Sequence, residues 1–391
     1  MEKEIIVSIY MAGDNDLTHA GLTDIDELRL EGGSDFVRIL LEFDKADESK
    51  TIRYEVGKSS TDKPAELVKI EEFNETDSGD PKVLSNFVQW VGKYSVKENF
   101  ILILWNHGGG FKFKKDIQNI VHSKDNRLFK YGVSSEKNIC WDDISGNSID
   151  LIELKKVFLD CQSHFPILGF DACLMGMIEV AAQLNQFADY FWFSQEMEPW
   201  QGWPYHKLLK RLKESNSFLE AGASFVDDYL FYHEENGENV TFSFISSAYI
   251  EQLIKSLNRI ADFCIELIKT NFLDMIKIRH LVQTFDYTDY VDLGDFTALL
   301  KDRILVKISD ESFKKMFLES LNEFEQYYNK TVIHTGFRGE QLKKSTGLSI
   351  WFPIKEKVYH KHKNDYQNLD FAKKCFKWDM FLKNFFQELF L

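Results

Sequence analysis

A thiol and an imidazole can cleave an acyl bond together. The thiolate attacks the carbonyl, the ring moves the proton, and nearby N–H donors hold the oxyanion that forms. In this 391-residue chain the residues placed for such work are His107 and Cys173. The apolar run Phe100–Trp105 ends in Asn106-His107-Gly108-Gly109-Gly110, and a second, Phe165–Phe170, ends in Asp171-Ala172-Cys173. Gly108 lets the backbone approach a substrate closely, and its N–H is a natural oxyanion donor beside that of Cys173. A helix expected from about Met175 to Phe187 would aim its N-terminal dipole at the thiol and lower its pKa. Singly, each residue also has a plain reading, a small buried thiol and a core histidine.

The elements that must position this pair read as a doubly covered sheet. Ile5–Tyr10, Val37–Phe43, Phe100–Trp105, Phe165–Phe170 and Tyr190–Phe193 are apolar strand-like runs, and Thr51–Val56 alternates weakly as an edge strand would. Helical spacing over Pro81–Val96 and Leu151–Leu159 separates them. Apolar strands alternating with helices predict an α/β fold with a mainly parallel sheet covered on both faces. Active sites of such sheets lie beyond the carboxyl ends of the strands, where His107 and Cys173 both stand. Phe111–Asn138, rich in Lys, Asn and Ser, breaks the pattern and reads as a functional loop or an ordinary surface insertion. From about Tyr205 helices dominate, including Ser217–Glu234, Ile250–Thr270 and an amphipathic Asn368–Leu391, interrupted by strand-like Val240–Ile245 and Gly347–Phe352. The expected organisation is a catalytic core over 1–205 and a helix-rich remainder over 206–391. The strands at about 240–245 and 347–352 would join the same or an adjoining sheet.

Composition excludes several alternatives. Apolar residues make up 44% of the chain, ample for a large core and against a disordered one. A net charge of −15 disfavours nucleic-acid and anionic-membrane partners, which need a basic surface. No run approaches the ~20 apolar residues of a membrane helix. Met1–Tyr10 passes straight from charge into a strand-like run without a secretory pattern, so the expected location is cytosolic unless another route exports the chain. Five scattered cysteines, Cys140, Cys161, Cys173, Cys264 and Cys375, suggest neither a disulfide framework nor a zinc site.

The motifs around the pair carry a resemblance. Trp105-Asn106-His107-Gly108-Gly109-Gly110 and Phe170-Asp171-Ala172-Cys173-Leu174-Met175-Gly176 resemble the two signatures of the clostripain family of cysteine peptidases, relatives of caspases, gingipains and legumain. Ile9–Leu17, Ser194–Pro199, Gly202–Tyr205, Tyr290–Leu293 and Leu348–Pro353 are similar to further family markers. The resemblance implies a caspase-like α/β/α sandwich, a His107–Cys173 dyad and cleavage of proteins or peptides after Arg or Lys. Asp171 matches the family's pocket position, and two residues apart on a strand Asp171 and Cys173 point to the same side. A carboxylate there would pair with a basic side chain, or it would cap the strand end by accepting backbone N–H groups. Glu196 and Glu198 stand as pocket rim or solvated surface charge. Gln195 replaces a Glu common in the family, and Trp200-Gln201 fills a position that is often small.

The resemblance also implies activation by self-cleavage in the loop after the catalytic histidine, where Lys112, Lys114, Lys115, Lys124, Arg127, Lys130 and Lys137 are candidate cut sites. No cofactor is required for the chemistry. Some relatives need calcium, for which Asp142-Asp143 and Asp14-Asn15-Asp16 could supply oxygens without EF-hand spacing. The chain is expected to act as a monomer. Two rivals stand beside this reading: a catalytically silent module of the same fold that binds a peptide or protein, and a thiol transferase or metal hydrolase using the same pair.

Overall fold

The computed structural model describes residues 4–46, 50–60, 63–94, 100–111 and 138–388. Its strands are β1 (Ile5–Gly13), β2 (Val37–Lys45), β3 (Lys50–Val56), β4 (Leu67–Asn74), β5 (Phe100–Trp105), β6 (Ile139–Asp142), β7 (Asn147–Ile149), β8 (Phe165–Asp171), β9 (Ala188–Phe193), β10 (Val240–Ser246), β11 (Tyr290–Asp292), β12 (Val332–Arg338) and β13 (Ser349–Trp351). The helices are α1 (Thr18–Glu31), α2 (Pro81–Gly92), α3 (Leu151–Asp160), α4 (Ile178–Leu184), α5 (Tyr205–Glu214), α6 (Phe218–Glu235), α7 (Ile250–Leu281), α8 (Leu293–Arg303), α9 (Glu311–Thr331), α10 (Glu356–Tyr366), α11 (Asp370–Lys374) and α12 (Phe376–Glu388).

Nine strands form one sheet in the order β12-β10-β9-β8-β5-β1-β2-β3-β4. The middle five, β9-β8-β5-β1-β2, run parallel. Two antiparallel strands extend each edge. The central strands are apolar at consecutive positions because both their faces are covered. Ile6, Tyr10, Leu102, Leu104, Leu168 and Phe170 pack into one core with α2, α3, α4, α7, α8, α9, α11 and α12. Their alternates Val7, Ile9, Ile101, Ile103 and Ile167 pack into a second core with α1, α5 and α6. This is the expected α/β/α sandwich. Local sequence starts its helices: Asp80 caps α2 ahead of Pro81, and Asp150 with Glu153 closes a capping box on α3.

Several expectations change in detail. Thr51–Val56 belongs to β3, one strand inside the edge, and the edge is β4. The helix after Cys173 begins at Ile178 rather than near Met175. The helix from Ile250 runs on to Leu281, with a non-helical residue at Asn271. Of the later strand-like segments, Val240–Ile245 joins the main sheet as β10, while β13 pairs with β11 in a separate two-stranded sheet. The chain leaves β1 towards β2, β3 and β4 on one side, then returns to place β5 on the other. The order therefore reverses between β1 and β5, the place where such sheets open a crevice.

Candidate active site

The loops leaving β1, β5 and β8 line that crevice. Trp105 is paired in register with Asp171, and the Asn106 N–H donates to the Asp171 carbonyl at 3.1 Å. His107 and Cys173 therefore stand at equivalent steps, two residues past a paired position on adjacent strands. Gly108 packs directly on the Cys173 backbone. A Cβ there would collide with the Cys173 carbonyl oxygen and come within 3.0 Å of its nitrogen. Among the described residues, no hydrogen bond engages the backbone N–H of Gly108 or of Cys173. Tyr290 braces the glycine run by donating to the Gly109 carbonyl at 2.6 Å.

The chain turns sharply after Cys173. Leu174 has φ +63°, a conformation unfavourable for a side-chain-bearing residue. It is held by the Leu174 N–H on Glu196 O at 3.1 Å, the Gly176 N–H on Ser194 O at 2.7 Å and the Ser349 N–H on Gly176 O at 2.8 Å. The last bond shows what the C-terminal half does here, for β13 clamps the turn after Cys173 from outside the main sheet. Behind it, buried Gln195 donates to Asp292 at 3.0 Å and accepts from Gly347 N–H at 2.9 Å. Asp292 also accepts from Thr346 N–H at 2.6 Å. An amide supplies both donor and acceptor to this node, whereas an ionised Glu there would accept only.

Cys173 is 7% exposed. Its sulfur accepts the Glu198 N–H at 3.2 Å. Burial pushes the thiol up to about 12; that N–H opposes the rise, and the carboxyls of Glu198, Glu196 and Asp171 add to it. This overturns the expected lowering. With α4 starting five residues beyond Cys173, its dipole acts beyond the range of one helical turn. His107 Nε2 lies 2.6 Å from Asp16 Oδ1.

Three acids gather on the other side of Cys173. Asp171 accepts from the Tyr205 hydroxyl at 2.8 Å, and Asp24 accepts from Trp105 Nε1 at 2.7 Å. Both flank Gly202, where an added Cβ would lie 3.3 Å from Asp24 Oδ2 and 3.5 Å from Asp171 Oδ2. Glu198 has both carboxyl oxygens buried, against Asp171 and Trp203. Burial first, then Asp171, raises its pKa well above the usual range. Burial likewise pushes Asp171 up to about 6 against its bonds to Glu198, Tyr205 and Trp203. His233, bonded to the Gly202 carbonyl at 3.1 Å, is pushed down to about 4 by burial and supplies no positive charge. Glu196 plays a different part, since its Oε1 accepts from Met197 N–H at 2.8 Å and Asp286 N–H at 3.1 Å. Trp200 is exposed. Asp24 and Tyr205 carried no signal in sequence as site residues; they meet Asp171 only through the fold.

Of the acids weighed as calcium ligands, Asp14 and Asp142 come together with Glu75, each offering an oxygen within 4.8 Å of the others. Asp44 interacts with all three. One oxygen each of Asp14 and Asp44, and both of Glu75, are buried without a hydrogen-bond partner. An all-oxygen, uncompensated set suits a hard cation such as calcium. Asp143 instead accepts from Trp141 Nε1 at 2.5 Å, and Asp16 faces His107. Asn15 and Asn106 both donate to the Trp141 carbonyl, at 2.7 and 3.1 Å, tying β6 to the catalytic loops. The candidate cut sites Lys112, Lys114, Lys115, Lys124, Arg127, Lys130 and Lys137 lie outside the described residues.

Comparison with known proteins places the chain in a family. The sequence profile of the clostripain family matches residues 9–385. Clostripain of Hathewaya histolytica is 26% identical over 241 residues, 54% of this chain but only 42% of that protein. Among solved structures, a secreted cysteine protease of Bacteroides thetaiotaomicron in complex with an irreversible peptide inhibitor superposes with a TM-score of 0.67 at 18% identity, covering 95% of this chain and 98% of that one. An inactive zymogen protease of Parabacteroides distasonis superposes with a TM-score of 0.70 at 18% identity, covering 96% and 99%. These two likenesses speak to the fold.

Proposed function

This chain is a member of the clostripain family of cysteine peptidases, and from that premise we propose that it is an endopeptidase cleaving after Arg or Lys through His107 and Cys173. The observation that carries the specificity is the buried, cation-free acid group of Asp171, Glu198 and Asp24, reached two residues from the nucleophile. Buried carboxyls without a counter-charge are costly. A guanidinium or ammonium entering among them would remove that cost and gain charge-assisted hydrogen bonds.

The reaction follows from the neighbours of each group. His107 takes the Cys173 proton, and the thiolate attacks the carbonyl carbon after the basic residue. The N–H groups of Gly108 and Cys173 hold the oxyanion. The imidazolium then protonates the leaving amine, leaving an acyl-thioester on Cys173. Water attacks that ester with His107 as base, and the thiol leaves with its proton restored. No cofactor enters these steps. A calcium ion, where one binds, would sit on Asp14, Glu75 and Asp142 beside Asp44 and would neutralise their charge, stabilising the loops they join.

The thiol is buried in this conformation, and that burial disfavours the thiolate. That state suits a precursor activated by cleavage between Lys112 and Lys137, and purified wild type remaining a single band while it turns over an Arg substrate would count against such processing. Specificity is tested by profiling wild type and Cys173→Ala against fluorogenic peptides varied at the residue before the cut. The expected result is turnover of Arg and Lys peptides by wild type alone; turnover without a basic preference would refute the acid pocket.

A further inference from the structure

Asp16, His107 and Cys173 follow three adjacent parallel strands, β1, β5 and β8, whose register sets Met11 beside Trp105 and Trp105 beside Asp171. The histidine thus stands on the middle strand end, with an acid from one neighbour and the thiol from the other. Its Nε2 is 2.6 Å from Asp16 Oδ1, and its side chain is 9% exposed. The backbone on either side of Asp16 is fixed by bonds that do not involve its own carboxylate. Asn15 donates to the carbonyls of Ala12 at 3.0 Å and Trp141 at 2.7 Å, and its Oδ1 accepts from Leu17 N–H at 2.9 Å. Thr18 donates to Gly13 O at 2.6 Å. A carboxylate carried on so constrained a loop meets the ring in a set direction.

We propose that Asp16 is a positioning residue for His107, holding the proton on Nε2 so that Nδ1 is the nitrogen that takes and returns the Cys173 proton. The inference rests on the dyad reading above. A histidine base works only in the tautomer whose bare nitrogen faces the nucleophile, and the hydrogen bond at the other nitrogen selects it. The same bond fixes the ring plane. Asp16 itself is half-exposed, its side chain 53% accessible, so solvent screens its charge. Orientation and tautomer, rather than charge, are what it contributes. The expected effect is accordingly about 10- to 100-fold on turnover, at or below the low end of what a general base supplies.

The test measures kcat and KM on one Arg-containing fluorogenic peptide, with melting temperature as the fold control, for wild type, Asp16→Ala, Asp16→Asn and Asp16→Glu. His107→Ala and Cys173→Ala provide the reference. Positioning predicts that Asp16→Ala lowers kcat about 10- to 100-fold with KM within about twofold, and that Asp16→Glu recovers most of the loss. Asp16→Asn, close in shape and able to offer the ring a donor that favours the wrong tautomer, should lose at least as much as Asp16→Ala, and it carries the test if the alanine variant does not fold. Wild-type kcat in folded Asp16→Ala or Asp16→Asn, with His107→Ala inactive, overturns the proposal and leaves the dyad standing. A rise in KM at constant kcat overturns it too. Full activity in His107→Ala refutes the dyad itself, a result separable from the others.

Discussion

At the scale of single residues, the chemistry depends on where charge is absent. Asp171 and Glu198 are carboxyls held above their ordinary pKa by burial; Asp171 raises Glu198 further, whereas the bond from Glu198 lowers Asp171. On the proposed reading, these acids await the cation of a basic substrate side chain. Replacing Asp171 by Asn should lower kcat/KM for Arg peptides about 100-fold or more, because a buried partner of a charged group is lost, while hydrolysis of a reactive ester with an uncharged side chain changes far less. The pH dependence has a definite sign. Burial pushes Asp171 up to about 6, and on the proposed reading its protonation would remove the charge that pairs with a basic substrate. KM for an Arg peptide should thus rise as pH falls below about 6, and KM for an uncharged analogue should stay level. Parallel pH profiles on the two substrates check this.

At the scale of elements, the proposed catalytic pair is presented by strand ends and the clamps upon them. Gly108 shows how little room remains, since the turn after β5 lies against the turn after β8. Gly108→Ala keeps the N–H but drives a Cβ into the Cys173 carbonyl; the displaced turn should reduce kcat by about 100-fold or more, the magnitude of misplacing one oxyanion donor, with activity and circular dichroism measured together. β5 and β8 were legible because strands buried on both faces are written as continuous apolar runs, and the motifs behind them mark His107 and Cys173. The edge strand β4 was not, because Lys69, Glu71 and Glu72 with exposed Val68, Ile70 and Phe73 leave no clear alternation. Helix α1 is not legible as a helix because Thr18, Gly21 and Asp24 interrupt the apolar residues Ala20, Ile25 and Leu28 on its inward face. That omission hid Asp24 from the pocket. Asp44 and Glu75 were equally silent, for the cluster they form with Asp14 and Asp142 exists only once β2, the β4–α2 loop and β6 converge. The expected dipole on Cys173 failed for a local reason: Leu174–Met177 make a turn before α4 begins.

At the scale of the molecule, the two halves of the chain are parts of one construction. β10 and β12 extend the main sheet, and β13 reaches the nucleophile turn through Ser349 and Gly176. Among the described residues no helix is long and apolar enough to cross a membrane. The acid cluster of Asp14, Glu75 and Asp142 links loops from distant parts of the chain, so a cation there should be felt globally. Calcium at 100 times its dissociation constant would stabilise the fold by about 2.7 kcal/mol. Its addition should raise the melting temperature of the wild type, and Glu75→Gln with Asp142→Asn should abolish that shift; a calcium shift surviving both changes would place the ion elsewhere.

The central claim, that Cys173 attacks beside a pocket made for a basic side chain, is tested most directly by covalent capture. The protein is incubated with an acyloxymethyl ketone peptide ending in Arg, and the modified residue is located by mass spectrometry of the digest. The account predicts one adduct, on Cys173, lost in His107→Ala and strongly reduced in Asp171→Asn. An adduct on Cys161, which is partly accessible, or equal labelling by a ketone ending in an acidic residue, would contradict it.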